Sequence, residues 1–128
     1  MSRTFESLVG LSLEWTGTHY SEEGDFPDLS TYIVSYETGS SCYVTAGGKL
    51  VGKASYSYVP MGVRMAALVY RPDIYQGRSG VVLYAMLDFD LMMDRAVIMH
   101  NDQPLAVANG SFRVVNTPDK PITDQDVI

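Results

Sequence analysis

The feature that most constrains this chain is a period-two alternation of apolar and polar residues, which recurs between turn-forming segments without any long helical pattern. Leu11-Ser-Leu-Glu-Trp-Thr puts Leu11, Leu13 and Trp15 on one face of a strand. Thr31–Glu37 is β-branched and aromatic, and turns through Thr38-Gly-Ser-Ser into Cys42-Tyr-Val-Thr-Ala, which predicts a hairpin. Gly47-Gly48 supplies the positive φ values of a two-residue hairpin loop, and Leu50–Val59 returns as the next strand. Val63–Arg71 is apolar and is ended by Pro72, because proline cannot donate to a ladder. After the loop 72–80, Val81–Phe89 is apolar on both faces, as expected of a central strand or one at an oligomer interface. Arg95–Met99 and Leu105–Val115 bring the strands to about eight.

Helix is expected only locally. Phe5, Leu8 and Val9 have a helical spacing that stops at Gly10, which predicts a short N-terminal helix; Asp88–Asp94 offers barely two turns. Strands joined by turns pair antiparallel, and eight of them can close into a barrel that is either filled with side chains or holds one small ligand. The expectation is thus an all-β antiparallel barrel over residues 1–115, followed by an acidic tail over 116–128.

With 128 residues, 46% of them apolar, the chain is large enough for one core without cross-links. Cys42 is the only cysteine, so no intramolecular disulfide and no cysteine-based zinc site forms. The first residues lack the pattern of a secretion signal, and no run of apolar residues is long enough to span a bilayer, so a cytoplasmic location is expected. The net charge of −6 is local: segment 20–28 carries four acids and no base, and tail 116–128 carries three acids against Lys120. The body between them is balanced and has no basic stripe, which argues against nucleic-acid binding.

Familiar chemical motifs are missing. His19 and His100 have no partner at ligand spacing, so a metal site would need His100 and carboxylates such as Asp88 to meet in space; no metal or other cofactor is expected. Neither Gly47-Gly48 nor Tyr75-Gln-Gly-Arg-Ser-Gly has the flanks of a phosphate loop, and there is no Gly-x-Ser-x-Gly elbow. Cys42 reads as a packed, inert thiol. The informative excess is tyrosine, nine in all. Tyr32 and Tyr36 share one strand face, and so do Tyr56 and Tyr58; phenols pointing into a barrel line a cavity and orient a ligand by hydrogen bonds. Arg64 shares a face with Ala66, Leu68 and Tyr70; an inward guanidinium would bind a carboxylate, whereas an outward one, the favoured reading, would be an ordinary solvated rim charge.

Tyr36-Glu37-Thr38-Gly39 with a second tyrosine strand resembles the early hairpin of small calycin-like barrels, among them phenolic acid decarboxylases and the family named for molybdenum cofactor biosynthesis protein F. The later order is similar too: Val81-Val-Leu-Tyr-Ala-Met-Leu-Asp, Arg95-Ala-Val-Ile-Met, then a closing strand with Gly110. The resemblance implies a lipocalin-like barrel with a central pocket for a small aromatic or amphipathic acid. In the decarboxylases two tyrosines two residues apart grip the carboxylate; here Tyr36 matches the second, but Val34 stands in place of the first. Tyr56, Tyr58 and Arg64 would have to rebuild that clamp from another strand. Leu105–Val115 also resembles the closing strand of hotdog-fold thioesterases, which implies a long central helix that this sequence does not predict.

The functional expectation is a barrel that binds a small organic molecule, with cofactor-independent lyase or isomerase chemistry as its enzymatic form. Tyr36, Tyr58 and Arg64 are the candidate catalytic residues, and Tyr32, Tyr56, Tyr70, Tyr84 and Met86 the candidate ligand contacts. A carrier or sensor, and an assembly domain with a packed core, are the alternatives. The doubly apolar strand 81–89 predicts a homodimer.

Overall fold

In a computed structural model that describes residues 6–22, 24, 26, 29–62 and 64–118, eight antiparallel strands run as a continuous meander. They are β1 (Ser12–Tyr20), β2 (Ser30–Tyr36), β3 (Ser41–Ala46), β4 (Lys49–Pro60), β5 (Met65–Pro72), β6 (Val81–Asp88), β7 (Met93–His100) and β8 (Gln103–Val115). β1 pairs with both β2 and β8, so the sheet closes and leaves no edge. This closure is consistent with a calycin-like barrel; among the described residues there is no helix for the sheet to wrap, as a hotdog fold requires.

Turn chemistry sets the meander. Gly47 and Gly48 join β3 to β4 at φ of 59° and 79°, as the sequence predicts. Asn101 and Asp102 make the same kind of turn between β7 and β8 at 51° and 66°, using residues whose short polar side chains tolerate the left-handed region. Pro104 is accommodated in β8 because the β7–β8 register shifts beside its partner Met99.

The expected N-terminal helix is absent. Phe5 lies outside the described residues; residues 6–11 form a turn in which Leu11 N–H donates to Leu8 O at 2.9 Å and Gly10 has φ of 84°. Gly10 N–H donates to Tyr36 O and Tyr36 N–H to Leu11 O, both at 2.9 Å, so the segment joins the sheet. Leu8 is 1% exposed whereas Val9 is 49% exposed, so the residues that would share a helical face part company. The helical spacing at 88–94 is likewise a turn, where Asp88 Oδ1 accepts from the backbone N–H of Asp90 and Leu91.

Alternation sends Leu13 and Trp15, Tyr32, Val34 and Tyr36, Ala54 and Tyr56, Leu68 and Tyr70, Leu83, Ala85 and Leu87, Ala96, Ala108 and Phe112 inward. One end is packed solid: Leu8 plugs it, Phe89 meets Phe112 edge to face at 5.5 Å, and Tyr36 meets Tyr56 at 4.9 Å. Residues 116–118 run back along the outside, where Thr117 accepts from Ser12 Oγ and Pro118 O from the Tyr43 hydroxyl. The rest of the acidic tail, and Glu23, Asp25 and Asp28 of the acidic segment, lie outside the described residues. No helix among the described residues is long and apolar enough to cross a membrane.

Candidate functional site

Away from the plugged end the interior opens into a cavity of about 310 Å³. Its existence follows from side-chain size. Ala85, Ala96 and Ala108 pair in register across β6, β7 and β8, so three neighbouring strands present only methyl groups at one level of the barrel. The rest of the wall includes the rings of Trp15, Tyr32, Tyr36, Tyr70 and Phe112, with Tyr75 from the β5–β6 connection. At the mouth the lining residues Val51, Lys53 and Ile74 are exposed.

Trp15 is seated by glycine. A Cβ at Gly110 would lie 2.5 Å from the indole Nε1 and Cε2, and one at Gly17 would lie 2.5 Å from Cζ2. The indole therefore crosses the bare backbone of β8 and donates from Nε1 to Asp94 Oδ1 on β7 at 2.6 Å. Its ring neighbours are His19, edge-on at 5.7 Å, and Tyr32, stacked at 6.0 Å.

Asp94 is the carboxyl of this wall. Burial pushes its acid strength down and its pKa up to about 6, partly offset by the Trp15 hydrogen bond, which favours the charged form. It lies within electrostatic reach of Tyr36 and Tyr75, whose phenols are held above their ordinary pKa chiefly by burial. Burial likewise raises the Tyr70 phenol. No hydrogen bond from the Tyr36 or Tyr70 hydroxyl is found among the described residues, and neither oxygen is sealed off from space. Both are therefore available to a guest.

The β5–β6 connection spans the mouth. Tyr75 and Arg78 pair backbone to backbone around a tight turn at Gln76-Gly77. From this turn Gln76 Nε2 donates to the Tyr32 hydroxyl on β2, and the Tyr75 hydroxyl shares a 2.5 Å hydrogen bond with His19 Nε2 on β1. β1 and β2 lie across the barrel from β5 and β6, so these contacts strap the opening. His19 is stacked on Phe26 at 4.8 Å, and Arg78 sits over the Phe26 ring at 5.2 Å. Burial lowers the His19 pKa and thus favours the neutral ring.

Of the residues singled out from the sequence, Tyr32, Tyr36 and Tyr70 line the cavity. Tyr56 is buried beneath them, its hydroxyl donating to Thr38 O at 2.5 Å, and Tyr58 lies farther toward the plugged end with its phenol pushed up to about 12 by burial. Arg64 does not face inward. It occupies a turn at φ 65° just before β5, outside the strand's alternation, and pairs with Asp90 while Nη2 donates to Phe89 O at 3.2 Å. Tyr56, Tyr58 and Arg64 are not among the residues that line the cavity. Tyr84 and Met86 project from the outer face of β6, 52% and 41% exposed, because the smaller Ala85 and Leu83 take the inner face. His100 and Asp88 stand at opposite ends of the β6–β7 ladder, and no group of three metal-ligating side chains occurs among the described residues. Cys42 is buried against Ala54 O, its thiol pushed up to about 12 by burial, with the nearby Glu37 charge adding to the effect.

Asp94, Trp15 and Tyr75 were not singled out as site residues by sequence reasoning. Trp15 showed itself as inward-facing through the alternation at 11–15, but nothing in the sequence marks an acid between Met93 and Arg95 as facing inward. Comparison of the chain with protein-family models, with curated proteins and with solved structures returns no match in any of the three, so neither the decarboxylase nor the molybdenum-cofactor family gains support.

Proposed function

We propose that this barrel binds a small aromatic or amphipathic organic molecule in its interior. The observation that carries the reading is the cavity of about 310 Å³, walled by six aromatic rings and a single half-buried carboxyl. That volume suits a compound of roughly ten non-hydrogen atoms. The test is calorimetric titration with 2-phenylethanol, paired with an Ala96→Phe variant that fills the space. Saturable binding that the substitution abolishes supports the reading; binding that survives it, or none to the unaltered protein, overturns it.

The enzymatic form of this function is a cofactor-independent lyase or isomerase in which Asp94 exchanges a proton with the guest while the Tyr36 and Tyr70 hydroxyls hold a guest oxygen. A carboxyl that titrates near 6 is suited to proton exchange close to neutral pH. The non-enzymatic form is a carrier or sensor. Asp94→Asn divides them: loss of product formation with binding retained indicates an enzyme, whereas a guest recovered unchanged after prolonged incubation indicates a carrier.

Association of two copies has its own observation. Val69, Tyr84, Val97, Val107 and Tyr20 pair in register across five strands of the outer face, and the last four are 46–69% exposed. Such a stripe is what a back-to-back homodimer would cover. Sedimentation of the unaltered protein as a dimer, and of Tyr84→Lys as a monomer, is the expected outcome; a monomer at about 100 μM overturns it.

A further inference from the structure

We infer that the cavity selects an organic cation, a small amine or ammonium on an aromatic or apolar body, with Asp94 as its counter-charge and the rings of Trp15, Tyr36 and Tyr75 around it. This rests on the reading of the cavity as a ligand site.

The first ground is the state of Asp94. One hydrogen bond, from Trp15 Nε1, reaches one of its two oxygens, and no second is found among the described residues. A buried carboxylate normally accepts several hydrogen bonds or faces a cation; with fewer it becomes neutral or takes a counter-ion. The second ground is the absence of an internal cation. Lys53 is the one basic residue of the described lining, and it is exposed at the mouth. Among the described residues no guanidinium or ammonium meets Asp94 from a packed element: its register neighbours are Leu87 on β6 and Gly110 on β8, while Trp15 comes from β1, Tyr36 from β2 and Tyr75 from the β5–β6 connection. The counter-charge has to arrive with the guest.

The third ground is the wall. Tryptophan and tyrosine present negative ring faces to a cation, and the attraction strengthens when water is excluded. An ammonium between these rings would satisfy both the π faces and the carboxylate. A carboxylate guest would meet Asp94 as a like charge, which is opposite to what the decarboxylase resemblance implies.

The test uses three probes with one phenyl body: 2-phenylethylammonium, 2-phenylethanol and phenylacetate. Trp15 is the only tryptophan, so its emission in the full-length protein reports occupancy. Near pH 7.5 the ammonium is expected to bind about tenfold tighter than the alcohol, and phenylacetate weakest. The preference should shrink as pH falls through about 6, where Asp94 takes up its proton. Asp94→Asn keeps an acceptor for Trp15 and should retain alcohol binding while losing the ammonium preference. Should that variant not fold, the probe order and its pH dependence in the unaltered protein decide alone. Alcohol binding with no ammonium preference overturns the inference and leaves the ligand site standing; failure of all three probes to bind overturns both.

Discussion

The two ends of this barrel are built from the same eight strands and differ in what alternation delivers to the inside. At one end Leu8, Phe89, Phe112 and Tyr56 interlock, with ring pairs at 4.9 and 5.5 Å. Toward the other, Ala85, Ala96 and Ala108 leave space, and the larger groups that border it, Asp94 and the Tyr36 and Tyr70 phenols, are short of hydrogen-bond partners among the described residues. The plugged end gains from close packing; the hollow end gives up packing and leaves polar atoms for something else to satisfy. A barrel of eight strands is near the size at which its interior just fills, so a few residues decide which outcome a given level takes.

The largest contrast is expected from one substitution made at both ends. Leu8→Ala removes a side chain that is 1% exposed in the plug and should cost about 3 kcal/mol, whereas Leu68→Ala in the cavity wall, where contacts are already missing on one side, should cost about 2 kcal/mol. Urea midpoints for both, at unchanged slope, check this; equal losses would dissolve the contrast. Next, Gly110→Ala drives a methyl into the Trp15 indole and should cost about 2 kcal/mol while shifting Trp15 emission to the red as the Asp94 bond breaks.

A comparable effect is expected from pH. Asp94 titrates near 6 in the folded protein and near its ordinary value of about 3.9 when unfolded, so the folded state holds the proton more tightly. The destabilisation is present near neutrality and is relieved as pH falls through about 6 toward about 4. His19 works in the opposite sense: its lowered pKa withdraws stability as pH falls through its unfolded value of about 6.5. Comparing the unaltered protein with Asp94→Asn isolates the first effect, and from about pH 7 to about pH 4 the unaltered protein should gain roughly 2 kcal/mol relative to the variant. A pH-independent difference would mean that Asp94 is not desolvated.

These expectations also mark how far the sequence could be read. Strand positions were legible because alternation and turn residues are local: Leu50–Val59, Val63–Arg71 and Val81–Phe89 fall within two residues of β4, β5 and β6. Closure into a barrel was expected from the same pattern, which left open whether the strand tyrosines face inward or outward. At 81–89 the pattern carried no information about direction, since both faces are apolar; only packing turned Ala85 inward and Tyr84 and Met86 outward. Arg64 fell out of its strand's alternation because a positive φ in the preceding turn resets the period. Asp94 was hidden for a different reason, being one acid among several, placed by a register that only the closed sheet fixes. The smallest predicted effect follows from this part of the fold: Tyr70→Phe removes a hydroxyl without a partner among the described residues and should change stability by less than about 0.5 kcal/mol while weakening guest binding.

The claim at the centre of this account is that the hollow end receives a guest and the plugged end does not. Two-dimensional NMR of the full chain titrated with 2-phenylethylammonium tests it residue by residue. The account predicts progressive, saturable shifts of the Trp15 indole N–H and of the Ala85, Ala96 and Ala108 amides, with Leu8 and Phe89 unmoved; an unshifted indole, or shifts confined to the outer residues Tyr84, Val97 and Val107, would contradict it.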